Sequence, residues 1–289
     1  MSIVLHIPHA SNHIPDEYLK YFNLSKTYLQ FELLKMTDHF TDELFDCAGD
    51  NIHQLKFPIS RLLVDVERFE KDELEPMSKV GMGCVYEKTH DGKSLKNVEH
   101  IKDELINKFY KTHHENFTKI VDAKLKENNK VLIIDCHSFP KYPLPYELNQ
   151  EMDRPEICIG TDDFHTSYKL KLLFEKIFKD FYFTIKVNKP FKGTIVPLKF
   201  YNKDKRVQSL MIEVRRDLYM DEKSGEKNFK FYYIKNIIKK LLIKINVWFY
   251  IFLKGFCFNL FLKHFADTFK FYEFKSNFKL FYTFLKNKK

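Results

Sequence analysis

VLIIDC, residues 131–136, is followed directly by His137. Its apolar side chains are consecutive rather than alternate, the pattern of a strand buried on both faces, as central strands of parallel sheets are. Shorter runs of strand character stand at 3–7, 52–57, 62–66, 157–159, 183–187 and 210–214. Between them, apolar residues recur at helical spacing over 25–47, 98–127, 164–181 and 229–245. Strands alternating with helices predict an α/β fold, a mostly parallel twisted sheet with helices on both faces. Ligands of such sheets bind beyond the carboxyl ends of the strands. Two histidines are expected there, His137 after VLIIDC and His9 after the run that stops at Pro8. Residues 72–96, with Gly81, Gly83 and Gly92, lack periodicity and predict a long loop near the site.

The chain has 289 residues and a formal charge of +9, but the excess is uneven. Up to about residue 228 both signs interleave, whereas from Phe229 onward lysines far outnumber acids. A basic total alone suggests nucleic acid, yet no helix-turn-helix, zinc-knuckle or RNA-binding signature accompanies it, so nucleic acid is not expected as a partner. Residues 246–289 hold twelve of the thirty phenylalanines in a Phe/Lys mixture that reads as an extension outside a catalytic domain spanning 1–245. Lys254 and Lys263 cut this tail into charge-free stretches of nine and eight residues. A membrane-spanning helix needs about 20 apolar residues, so no span is expected. Five cysteines without a CxxC pair, and no apolar signal core at the N-terminus, fit a reducing cytoplasm.

A catalytic divalent ion takes three protein ligands from His and carboxylates and keeps one position for water. His9 and His137, each just past an apolar run, meet part of that need, and Asp135 stands two residues before His137 as an orienting partner. Each histidine alone also fits a hydrogen-bonded structural residue. Glu213 places a carboxylate inside the apolar run MIEV, where burial of the charge is costly unless something offsets it. Either an ion pair with Arg215 or Arg216, or work as a general base, accounts for it. RLLVDVERF gathers Arg61, Asp65, Glu67 and Arg68. Arginine forks bind carboxylates in bidentate fashion, so the cluster reads either as a surface ion-pair group or as a site for an acidic substrate.

The blocks PHAS, SRLLVDVERF, IDCHS, RPEICIGTDDFHT, PFKGTIVPL and MIEVRRDLY, in this order, resemble the N-formylglutamate amidohydrolase (deformylase) family over residues 1 to about 245. That family is similar, more remotely, to zinc carboxypeptidases and aspartoacylase-like enzymes, which implies a zinc-carboxypeptidase-like, phosphorylase/hydrolase-like fold. The resemblance implies Zn2+ or another divalent ion on His9 and His137, with Glu213 as the base. Arg68 is expected to stabilise the oxyanion and, with Arg61 and Arg215, to bind substrate carboxylates. The implied reaction is hydrolysis of N-formyl-L-glutamate to formate and L-glutamate in histidine degradation. Alternatives are an amidohydrolase for another N-acyl acidic amino acid, or a catalytically dead binding protein attached through its Phe-rich tail. One departure concerns the ligand set. The wider superfamily has His-x-x-Glu, and here Asn12 occupies the fourth position. Asp38 is therefore expected as third ligand, with Asp42 and Glu67 as alternatives. His114 also matches a family position, and a core or supporting role is expected for it.

Overall fold

The structure, a computed structural model, describes residues 1–47, 49 and 51–253. Six strands form one sheet: β1 (Ser2–Ile7), β2 (Ile52–Lys56), β3 (Val131–Phe139), β4 (Ile157–Gly160), β5 (Ile185–Val187) and β6 (Val207–Arg215). Their order is β2-β1-β3-β6-β4-β5. β2, β1, β3 and β6 run parallel, β4 is antiparallel to β6, and β5 is parallel to β4. Every residue of β1 and β3 is buried, the consequence of lying between other strands with both faces covered. Each fully buried Leu, Ile or Val there contributes about 1.5–3 kcal/mol.

The helices are α1 (Asp16–Leu19), α2 (Lys26–Met36), α3 (Thr41–Leu44), α4 (Lys102–Leu105), α5 (Thr112–Asn128), α6 (Tyr168–Asp180) and α7 (Phe231–Leu253). A π-helical turn, Ile106–Lys111, joins α4 to α5. Ser25 and Ser167 start α2 and α6 by accepting from the backbone N–H three residues on. On α5, Phe117, Val121 and Leu125 form a stripe at i, i+4 spacing that packs on Val4, Val131 and Ile133, one face of the strands. One turn earlier that stripe continues as His113, and one step further along the same face of β1 comes His6.

Two expectations need correction, and a third is narrowed. Residues 62–66 are buried but form no strand, because their donors are satisfied in a turn: Leu63 and Val64 N–H reach Ser60 O, Leu62 N–H the Ser60 side chain, and Asp65 N–H the Cys84 carbonyl. β3 continues to Phe139, so His137 lies inside the strand, where its backbone pairs with β6. The stretch 25–47, expected as one long helix or two abutting ones, forms two, α2 and α3, parted where Thr37 is extended and Phe40 lies in the left-handed region at φ 63°.

The chain divides after Ile243 into two units. α7 runs on to Leu253, beyond the end at 245 that helical spacing led one to expect for this helix. The rest of the Phe/Lys tail lies outside the described residues. Among the described residues no helix is long and apolar enough to cross a membrane.

Gly160 ends β4 where a Cβ would overlap the Gly193 carbonyl oxygen and stand 2.5 Å from Met211 Cε. Backbone is one of the obstacles, so Gly160→Ala is expected to lower stability by about 1–3 kcal/mol, read as a fall in Tm. An unchanged Tm would mean that the 188–195 segment yields freely.

Candidate functional site

Alternation along strands gathers the chemistry on one face. Val4 and His6 share that face on β1, Ile133, Asp135 and His137 on β3, and Met211 and Glu213 on β6. Register sets His6 beside Asp135 and His137 beside Glu213. Beneath α5 this face is apolar, and toward the carboxyl ends of the strands it becomes ionisable, where ligands of α/β sheets bind.

His9 arrives two residues beyond β1. Asp38 follows Thr37, the residue that caps α2, and its N–H donates to His9 O at 3.0 Å, tying the two segments together. The His9 ring has its Nε2 2.8 Å from Asp65 Oδ1. Its Nδ1 is buried without a hydrogen-bond partner and lies 3.7 Å from Asp38 Oδ2. The same Asp38 oxygen is 3.1 Å from His137 Nδ1. The other Asp38 oxygen accepts from Arg216 Nη2 at 2.8 Å, and Arg216 also donates to Lys35 O and to Ser138. Two imidazole Nδ1 atoms thus face one carboxylate oxygen.

On the outer side of His137, Nε2 stands 2.9 Å from Glu67 Oε2 and 3.1 Å from Asp135 Oδ1, neither aligned as a hydrogen bond. Glu213 is 7 % exposed, and its Oε2 has no hydrogen-bond partner among the described residues.

The charges are strongly coupled. Burial alone would discharge His137, but Glu67, Asp135 and Asp38 hold its pKa well above the usual histidine range. Burial likewise opposes the Asp38 charge, and His137, His9 and Arg216 outweigh it and keep that carboxyl well below the usual range. Glu213 goes the other way: desolvation, reinforced by Asp38 and Glu67, pushes it up to about 8 against the pull of His137 and Arg216.

Among the described residues the group of side chains able to hold a divalent ion here is His9, Glu67 and His137, and Asp38, the expected third ligand, stands against both rings. With ligand bonds of about 2.0–2.1 Å, a tetrahedral site has donor–donor edges of about 3.4 Å, and the two Asp38–imidazole separations, 3.1 and 3.7 Å, bracket that value. His9 Nδ1 is an orphaned buried atom that such an ion would satisfy. The far nitrogens face Asp65 on one ring and Glu67 and Asp135 on the other, as metal-bound histidines are usually backed. Glu67 also groups with His9 and His137, but its carboxylate approaches the outer nitrogen of His137. Asp42 is outside the cluster, paired at the surface with Lys56 at 3.6 Å, and Asn12 is exposed.

The arginines separate clearly. Arg68 is 22 % exposed in its side chain, its Nε has no hydrogen-bond partner among the described residues, and its nearest carboxylate contact is 3.8 Å from Asp65. Arg61 instead binds Asp65 at 2.8 and 3.3 Å and the Tyr86 hydroxyl, so its guanidinium supports Asp65. Arg215 donates to Asp217 and to Arg154 O, each at 2.7 Å. His114 Nε2 donates to Val66 O at 2.9 Å, a supporting contact.

Sequence reading missed Arg216, His6 and His113. His6 carried a usable signal, a polar residue inside an apolar strand, the same signal that marked Asp135 and Glu213. Nothing in the sequence separated Arg216 from its neighbour Arg215, since which of two adjacent arginines turns inward depends on where β6 ends.

Residues 1–220 match the family model described as FGase, N-formylglutamate amidohydrolase. A crystal structure of N-formylglutamate amidohydrolase from Ralstonia eutropha JMP134 superposes with a TM-score of 0.75 at 21% identity, covering 86% of this chain and 94% of that one. A crystallised gene product of Agrobacterium tumefaciens follows with a TM-score of 0.55 at 17% identity, covering 85% and 92%. These two likenesses show the fold. No curated protein matches the chain.

Proposed function

Since the chain belongs to the N-formylglutamate amidohydrolase family, we propose that it hydrolyses N-formyl-L-glutamate to formate and L-glutamate with a divalent ion, zinc by choice of donors, on His9, His137 and Asp38. The observation that carries this reading is the approach of both Nδ1 atoms to Asp38 Oδ2, with the outer side of each ring facing carboxylates. The ion supplies Lewis acidity and brings the pKa of a bound water toward about 7. Glu213, held beside His137 by the strand register, accepts the proton of the attacking water at its unpartnered Oε2. It returns that proton to the leaving nitrogen as the C–N bond breaks, so that the water oxygen ends in formic acid, whose proton passes to the released amine to leave formate and an ammonium group. Arg68 binds a substrate carboxylate through its guanidinium fork and faces the charge that builds on the formyl oxygen. Arg216 acts through Asp38, fixing which oxygen faces the imidazoles.

Purified chain supplied with zinc is expected to hydrolyse N-formyl-L-glutamate faster than N-acetyl-L-glutamate, N-formyl-L-aspartate or N-formyl-L-leucine, read as the free amino acid released. A preference for one of the others would move the assignment to that N-acyl amino acid. Bound zinc with no hydrolysis of any, or no zinc at all, would leave the binding-protein reading. Arg68→Ala removes charge-assisted hydrogen bonds of about 1.5–3 kcal/mol, so kcat/KM for the acidic substrate is expected to fall roughly 10- to 200-fold. The loss for N-formyl-L-leucine should be smaller if Arg68 reads the side-chain carboxylate, and equal if it reads the α-carboxylate. An unchanged kcat/KM for every substrate would remove Arg68 from the site. A cytoplasmic place in histidine degradation follows from the same proposal.

A further inference from the structure

At the outer nitrogen of His137 stands a second group of side chains able to hold a metal, His6, Glu67 and Asp135, of which the proposed reaction uses only the carboxylates, as the groups that face His137. His6 Nδ1 lies 2.8 Å from Asp135 Oδ1 and 3.5 Å from Glu67 Oε1. His137 Nε2 closes the group at 2.9 Å from Glu67 and 3.1 Å from Asp135. These separations, 2.8 to 3.5 Å, lie close to or somewhat below the edge of about 3.4 Å for a tetrahedral ion with bonds of about 2.0–2.1 Å.

Two atoms here are orphaned. His137 Nε2 and Glu67 Oε1 are buried without a hydrogen-bond partner, although each has an oppositely polar atom within 3.5 Å. His6 Nδ1 and Asp135 Oδ1 meet in a hydrogen bond, whereas the contacts of His137 Nε2 and Glu67 Oε1 are close yet misaligned for donor and acceptor, as ligands around a common centre are placed. The charge points the same way. Arg61 and Arg68 face Asp65, and Arg216 faces Asp38. Glu67 and Asp135 have no guanidinium contact within 4.0 Å among the described residues. Their combined charge is matched by one divalent cation. Finally, the far nitrogen of His6 rests 2.9 Å from His113 Nε2, and the ring stacks on Phe117 at 4.8 Å, which fixes the direction of Nδ1.

We propose that His6 Nδ1, Glu67 and Asp135 bind a second divalent cation of the zinc type, beside the catalytic one and separated from it by the His137 ring. Its place is mostly enclosed: His6 is fully buried, Asp135 nearly so, and the Glu67 side chain is 17 % exposed. It therefore serves to fix Glu67, Asp135 and the outer side of His137, and the substrate does not reach it. The inference goes beyond the proposed reaction and shares His137 with it.

Full-length protein stripped with chelator and titrated with zinc alone is expected to hold two equivalents by native mass spectrometry and elemental analysis. His6→Gln is expected to hold one. Diffraction at the zinc absorption edge should show one anomalous peak against His9, His137 and Asp38 and another against His6, Glu67 and Asp135. A single equivalent in the wild-type chain, with its peak at His9, would overturn the second site and keep the catalytic one. Two equivalents in both chains, with both peaks elsewhere, would also overturn it. No bound zinc would overturn both sites. If His6→Gln fails to fold, the wild-type count and peak positions decide alone.

Discussion

Glu213→Gln is expected to lower formate release by roughly 10²- to 10⁴-fold, the range that a positioned acid–base group supplies. The variant should still bind zinc, because Glu213 is absent from the donors that face Asp38. Glutamine keeps the shape and the buried position but cannot take a proton from water. KM should change little, since the loss falls on a step the substrate meets only after binding. A variant that keeps more than about a tenth of the wild-type kcat would remove Glu213 from the base role, and one that loses its zinc would make it a ligand.

Asp38→Asn is expected to abolish detectable turnover and to weaken zinc binding at the His9–His137 site by more than about 100-fold. Asparagine can still accept from Arg216, so the fold survives, but the anionic oxygen facing the two imidazoles is gone. Asp65→Asn is the control. Asp65 touches His9 at its outer nitrogen, and changing such a partner typically costs about 10–100-fold in affinity without removing the ion. If Asp65→Asn and Asp38→Asn weaken zinc equally, Asp38 orients His137 and the third ligand is another residue. Glu67→Gln then becomes the deciding variant, as Glu67 is the carboxylate that also groups with His9 and His137.

The sheet was legible wherever strands are buried on both sides. VLIIDC and the run at 3–7 stand next to each other as β3 and β1, in the region where parallel packing leaves no polar face. Legibility failed at 62–66, because an apolar run reports burial and not the ladder, and this one satisfies its donors in a turn. The site divides in the same way. Of the residues proposed for it, His9, His137, Glu213 and Arg68 stood out in the sequence as chemistry at strand ends or in motif, and Asp38 through the departure at Asn12. Which arginines remain free was not visible, for Arg61, Arg68, Arg215 and Arg216 differ only in what their guanidinium groups meet in three dimensions.

α5 brings Phe117, Val121 and Leu125 to the hydrophobic interior and, on the same stripe, His113 to His6. Thermal robustness and turnover are therefore yoked through one helix. Enlarging or trimming Phe117, on which the His6 ring rests, would move a residue two contacts from His137, so selection for a sturdier interior cannot act here without retuning the chemistry.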